Sequence, residues 1–166
     1  MKEQEEVEKK EIVKSIENRQ EEDVRNALAD MHPADVAELL QEVDIDDAVF
    51  VFTLLDDEPA AETLMELDED DRHRLLEHIP NKDIAKTFIE NLDTDDAVDL
   101  IQELDKEDQE EVLAHVNDVE QAGSIIDLMQ YPEDTAGGLM GKEMIVVNEN
   151  WSMPECVKRM REQAED

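Results

Sequence analysis

Two carboxylates one helical turn apart, Asp95 and Asp99, are the residues of this sequence best suited to holding a metal ion. Asp99 lies six residues beyond Asp93, where a helix is predicted to begin, and so beyond the reach of the helix dipole. Glu62 holds the same position after Asp56. Like charges at this spacing are mildly destabilising without a counterion. Mg²⁺ would suit such a face, because it keeps several waters and needs only one or two protein carboxylates.

Helix capping explains most of the other acids. An aspartate followed two and three residues later by further acids occurs at Asp44, Asp68, Asp93 and Asp105. The first aspartate of each group is predicted to accept hydrogen bonds from the free N–H groups of a helix, and the later acids favour the positive end of its dipole. A solvated face of an acidic protein explains Asp95, Asp99 and Glu62 as well as a metal site does.

Other chemistries find little support in the sequence. His73 and His78 are five residues apart and poorly aligned on a helix, and Cys156 is the single cysteine, so zinc spacing is absent. The sequence contains no nucleophile–base motif, phosphate-binding loop or dinucleotide fingerprint. We therefore expect neither an enzyme nor a transition-metal site.

The charge of the chain limits its partners. Its 166 residues include 49 acidic and 15 basic side chains, for a net charge of −34. Such a chain repels nucleic acid and anionic membrane surfaces and favours cations or a basic protein. No apolar run approaches the roughly 20 residues of a membrane helix, and the N-terminus is too charged for a signal peptide. We expect a soluble segment on the cytoplasmic side.

The elements that must position the acids are short helices. Leucine, valine or isoleucine followed by Asp or Pro recurs every twelve or thirteen residues between residues 43 and 105, which predicts helices of about two and a half turns. Helices this short are stable only when stacked. The sequence predicts an all-α, α-solenoid-like superhelical stack over residues 1–130, with an aliphatic core formed by Val36, Leu39, Leu40, Val43, Ile84, Phe88, Ile89, Leu92, Val98, Ile101 and Leu104.

A different architecture is predicted after residue 130. All four glycines lie at or beyond Gly123, and the adjacent pair Gly137 and Gly138 permits positive φ or close backbone approach. Residues 131–143 are therefore predicted to form a hinge, and residues 144–147 a strand. Ser152 to Glu155 forms a capping box, which predicts a helix over residues 153–163. One strand and one helix cannot close a core, so residues 144–166 are expected to be the truncated start of another domain.

The segment at residues 131–140, Tyr-Pro-Glu-Asp-Thr-Ala-Gly-Gly-Leu-Met, followed by this strand and helix, resembles the cytosolic part of the MgtE family of magnesium channels and transporters. The resemblance extends from Ile12 to Gln163. It implies that residues 1–130 are an acidic helical N domain and that residues 144–166 open the first of two CBS domains. In the family, a connecting helix and a membrane pore follow.

The resemblance also implies a set of site residues. The family's shared ion sites fall on Asp95 and Asp99, with Asp96 adjacent. Glu62 matches another family position on the same surface, and Gly138 could lend a backbone carbonyl. Mg²⁺ is the implied cofactor, with further acidic ligands expected from outside this chain.

The implied function is Mg²⁺ sensing. Bound Mg²⁺ would dock the N domain on the CBS and connecting-helix parts of the same protein, which is homodimeric at full length, and would favour a closed pore. Membrane contact would come only through the transmembrane part. Two alternatives stay open: an acidic helical-repeat scaffold for protein partners without a metal, as in flagellar motor-switch domains, and a cation sponge with many equivalent weak sites.

Overall fold

The computed structural model describes residues 2–132, 135–143 and 146–163, and within them the fold is all-α, as predicted. Ten short helices precede residue 130 and one follows it. They are α1 (Lys2–Glu17), α2 (Glu21–Leu28), α3 (Pro33–Leu40), α4 (Ile45–Phe52), α5 (Asp57–Met65), α6 (Glu69–Leu76), α7 (Asn81–Asp83), α8 (Thr94–Gln102), α9 (Lys106–His115), α10 (Val119–Leu128) and α11 (Met153–Gln163). A π-helix (Ile84–Phe88) and a 3₁₀-helix (Ile89–Asn91) join α7 to α8.

The helices stack through one continuous aliphatic core. Helix α5 packs against α3 and the π-helix, and α8 packs against α10. The predicted core positions are buried, except Val43 and Leu104, which are half-buried at its edge. Phe52 and Phe88 form an edge-to-face pair with ring centroids 5.7 Å apart. The apolar periodicity therefore identified the core correctly, because a helix this short has only one face to bury.

Capping by aspartate is confirmed at some helices and not at others. Asp44 accepts a hydrogen bond from the N–H of Asp47, and Asp68 accepts one from the N–H of Asp71. Asp93 and Asp105 precede α8 and α9 in the same way but make no side-chain capping bond. The prediction is wrong at these two helices. At α8 another carboxylate occupies the capping position, as described below.

The C-terminal part is confirmed only in its helix. Helix α11 spans the predicted residues, as its capping box indicates. The expected β–α fragment is not seen: Val146 and Val147 are in irregular backbone, and residues 144 and 145 lie outside the described residues. The described residues contain no strand. The assignment of residues 144–166 to a CBS domain stays a prediction.

The glycine pair is part of a turn over residues 135–139. A Cβ on Gly137 would lie 2.5 Å from a ring carbon of Tyr131, so close approach is what requires glycine here. No described glycine has a positive φ. Within the described part of the chain, no helix is both long and apolar enough to cross a membrane.

Candidate functional site

The first turn of α8 is held by a segment that lies far away in sequence. Glu143 accepts a hydrogen bond from the backbone N–H of Thr94 at 2.9 Å and another from the Thr94 hydroxyl at 3.1 Å. The N–H of Lys142 donates in turn to the Thr94 hydroxyl oxygen at 2.9 Å. Glu143 therefore satisfies the first free N–H group of α8 across 49 residues, at a helix start where Asp93 makes no side-chain cap.

An ion pair and a close approach place residues 135–143, which we call the docked segment, against the helices. The ammonium of Lys142 pairs with Asp127 of α10 at 3.2 Å. A Cβ on Gly141 would lie 3.4 Å from Oδ1 of Asp95 and 3.1 Å from a carboxylate oxygen of Glu143. The docked segment thus lies against both α8 and α10 and brings its own carboxylate to an acidic helix end.

The carboxylates at this end of α8 are electrostatically crowded. Burial raises the pKa of Asp96, and the charges of Asp95, Asp93 and Glu143 raise it further, while Arg72 opposes them. The pKa of Asp93 is raised by burial first and then by Glu143 and Asp95. Asp93 is largely exposed, so solvent weakens the effect there. Asp96 is half-buried, so its raised pKa is the clearer evidence that a negative charge at this helix end destabilises the folded protein.

This crowding predicts a pH dependence of stability. An acid whose pKa is higher in the folded than in the unfolded protein destabilises the fold when ionised, and this cost disappears as pH falls through the folded pKa. Asp96→Asn should therefore raise the free energy of unfolding at pH 7. The difference from the parent should shrink toward pH 4, near the ordinary carboxyl pKa of about 3.9. Urea unfolding at both pH values measures this difference in free energy. A stabilisation by Asp96→Asn that was larger at pH 4 than at pH 7 would show that repulsion of the ionised carboxylate is not its cause.

The five predicted site residues do not form one cluster. Asp95 and Asp96 lie in the first turn of α8 beside Glu143, with Asp99 one turn further along. Glu62 is exposed on α5, and Gly138 lies in the docked segment, where its N–H donates to the Thr135 hydroxyl oxygen. Among the described residues, no group of three or more His, Cys, Asp and Glu could hold a metal ion.

Asp99 has a cationic neighbour that its sequence position did not reveal. Its charge raises the pKa of Arg72, whose guanidinium is hydrogen-bonded to Glu103. The counterion that a like-charge pair on α8 requires is thus supplied in part by Arg72 of α6. This charge attraction stabilises the Asp99 carboxylate whether or not an ion is bound.

Sequence reasoning missed Thr94, Lys142 and Glu143. Thr94 was overlooked because it lies between Asp93 and Asp95, which are better candidate ligands. Glu143 was overlooked because its partner lies 49 residues away. The one available signal was a threonine directly after Asp93, since threonine in a first turn can be held from outside the helix. Nothing local indicates which residue would hold it.

The family model of the MgtE intracellular N domain matches residues 31–134 of this chain. The chain belongs to that family. The family indicated by the sequence is thereby confirmed on most of the helical part, although the motif at residues 131–140 lies largely beyond the match.

Two solved structures resemble the MgtE N-domain chain over nearly all of its length. The soluble part of a magnesium transporter aligns with a TM-score of 0.83 at 23% identity, over 96% of this chain and 62% of that one. The cytosolic domain of the Mg²⁺ channel MgtE in complex with ATP aligns with a TM-score of 0.78 at 28% identity, over 93% and 64%. The present chain thus spans less than two thirds of either structure. No curated protein matched it.

Proposed function

We propose that this chain is the cytosolic Mg²⁺-sensing unit of a magnesium channel or transporter. The observation that carries the proposal is the crowded acidic end of α8, where the pKa of Asp96 is raised by burial and by neighbouring carboxylates. A divalent cation would relieve that repulsion, and carboxylate oxygens are the ligands that Mg²⁺ prefers. The similarity of the fold to the soluble parts of a magnesium transporter and a Mg²⁺ channel supports a role beside a magnesium pore.

The candidate ligands are the predicted set, Asp95, Asp99, Asp96, Glu62 and the carbonyl of Gly138. Since they form no closed cluster, we propose that each ion is shared with acidic groups of the CBS and connecting-helix parts of the longer, homodimeric protein. Mg²⁺ tolerates this arrangement because water can complete its coordination. No catalytic role is proposed for any of these residues.

The docked segment connects the acidic end of α8 to the predicted hinge at Gly137 and Gly138. In this structure residues 142–143 are fastened to α8, so a swing about Gly137 and Gly138 would first require Glu143 to leave Thr94. Glu143 lies among Asp93, Asp95 and Asp96, whose charges favour its release. Bound Mg²⁺ would oppose that release and hold the helical domain docked, which in the longer protein would favour the closed pore.

The energies suit a switch that uses several ions. One site at tenfold its dissociation constant contributes roughly 1.4 kcal/mol. Moving a two-state equilibrium from 1:99 to 99:1 needs about 5.5 kcal/mol. About four such sites would therefore suffice, and millimolar affinity at each would match an abundant free cation.

A Mg²⁺ titration of the protein extended through the CBS and connecting-helix parts, followed by the backbone amide NMR signals of Thr94, Gly141 and Glu143, tests the proposal. We expect saturable shifts near millimolar Mg²⁺ in the parent chain and at least a tenfold weaker response in Asp95→Asn/Asp99→Asn, with helical circular dichroism unchanged. The matched control is Asp46→Asn/Asp70→Asn, which neutralises two exposed acids in the first turns of α4 and α6.

The control separates the alternatives. Equal weakening in the control pair and the site pair would indicate a cation sponge of equivalent weak sites. An extended parent protein in which these amides do not respond to Mg²⁺ would contradict ion binding at Asp95 and Asp99. Ion flux through the full-length protein, measured with the same variants, then tests whether loss of the site leaves the pore open at high Mg²⁺, as we expect.

A further inference from the structure

A cavity of about 240 Å³ lies between α4, the end of α6 and the π-helix, away from the acidic end of α8. Its wall is apolar and includes the two rings of the core, Phe52 and Phe88, together with Val49 and Ile79. Polar groups line its rim, among them Asp57, Asp83, His78 and Thr87. An engineered apolar cavity of about 150 Å³ binds benzene, so this one is large enough for a small organic molecule.

The backbone beside the cavity is unusual. Residues Ile84–Phe88 form a π-helix, after which the N–H of Ile89 donates to the carbonyl oxygens of both Ala85 and Ile84. π-Helical turns are rare and occur frequently at functional sites. Two of the five residues of this turn, Thr87 and Phe88, line the cavity. The proposed Mg²⁺ function makes no use of this turn.

The acidic groups at the rim of the cavity favour a positively charged ligand. Asp57 accepts a hydrogen bond from the Thr87 hydroxyl at 3.2 Å and lies 3.8 Å from the ammonium of Lys86. Asp83 is exposed and makes no ion pair with any described residue. No lysine or arginine lines the cavity, and the chain as a whole carries a charge of −34.

We propose that this cavity binds a small organic ammonium ion with an apolar body. The body lies against Phe52 and Phe88, and the ammonium group lies at the rim beside Asp83. Asp83 disfavours an anion at the rim, whereas Asp57 is already paired with Lys86, and a bare metal ion gains nothing from the apolar wall. Organic cations carrying one aromatic or branched aliphatic group fit the volume.

Binding of 2-phenylethylammonium, compared with its neutral analogue 2-phenylethanol, tests the proposal on the whole chain. The amide signals of Asp83, Thr87 and Phe88 should shift with the ammonium ion at concentrations at which the alcohol leaves them unchanged. Asp83→Asn should weaken binding roughly two- to fivefold, the range expected for an exposed ion pair. Asp70→Asn, an exposed acid of α6 that lines no part of the cavity, should leave binding unchanged.

Two results would overturn the proposal. One is equal affinity for the ammonium ion and the alcohol, which would show that the rim charge selects nothing. The other is an equal loss in Asp83→Asn and Asp70→Asn, which would show that the cation follows net charge. Asp95→Asn/Asp99→Asn should leave ammonium binding intact, so this test is independent of the Mg²⁺ proposal.

Discussion

Replacement of Arg72 with leucine is expected to lower the free energy of unfolding by about 2–3 kcal/mol, because it leaves a half-buried carboxylate without its partner. The side chains of Arg72 and Glu103 are 12% and 14% exposed. Nε of Arg72 lies 2.9 and 3.1 Å from the two oxygens of Glu103, and Nη2 makes a further bond to the same group. Urea unfolding at neutral pH measures the loss.

The same guanidinium also satisfies a helix end. Its Nη1 donates to the carbonyl oxygens of Met65 and Leu67 at 3.4 and 3.3 Å, where α5 ends. The hydrogen bond with Glu103 raises the pKa of Arg72, so the residue stays charged at every accessible pH. Arg72→Lys should recover only part of the stability, since an ammonium lacks the planar fork that reaches both partners.

A neighbouring arginine provides the control. Arg74 lies on the same helix and pairs with Asp71, but its side chain is 68% exposed, so Arg74→Leu should change stability by no more than about 0.5 kcal/mol. Arg72→Leu/Glu103→Leu should regain most of the stability lost by the single variant, because no unpaired charge remains buried. Equal effects of Arg72→Leu and Arg74→Leu would contradict the assigned role.

Glu143→Ala is expected to release the docked segment from α8. The change removes both hydrogen bonds to Thr94, a net loss of about 1 kcal/mol at this exposed carboxylate, partly offset by relief of repulsion with Asp93 and Asp96. The amides of Thr94 and Lys142 should then exchange with solvent up to about fivefold faster. Hydrogen exchange followed by NMR measures this local opening, whereas global unfolding should change little.

Glu149→Ala is the matched control for this variant, because Glu149 is also an exposed glutamate after residue 140. Unchanged exchange at Thr94 in Glu143→Ala would show that the cap is not held in solution. If the proposed function is right, Mg²⁺ should slow exchange at Thr94 in the parent chain. It should have a smaller effect in Asp95→Asn/Asp99→Asn.

Local features of the sequence predicted the all-α fold well. Short apolar stripes such as Ile84, Phe88 and Ile89 identified the core, because each brief helix must bury one face to be stable. The capping box beginning at Ser152 predicted α11 at its observed bounds, because an N-cap and its partner lie within four residues of each other. The same reasoning failed at Asp93 and Asp105, where acids suitable for capping make no cap.

The candidate site was predictable only in part. Asp95 and Asp99 stand out by spacing on one helix, which periodicity can reveal. The partners that decide their electrostatics come from elsewhere: Glu143 reaches Thr94 across 49 residues, and Arg72 reaches Glu103 across 31. A repeat with a period of twelve or thirteen residues predicts that helices stack but does not determine which helix ends meet.

The sequence by itself thus determined the helices, their buried faces and the strongly acidic character of this MgtE N-domain chain. All three depend on residues that are near one another in sequence, or on composition. Only the tertiary structure decided that Glu143 caps α8, that Arg72 neutralises part of its acidic face, and that a π-helix borders a cavity. Each of these arises from how distant segments pack, and the energy of such contacts is not encoded at either position alone.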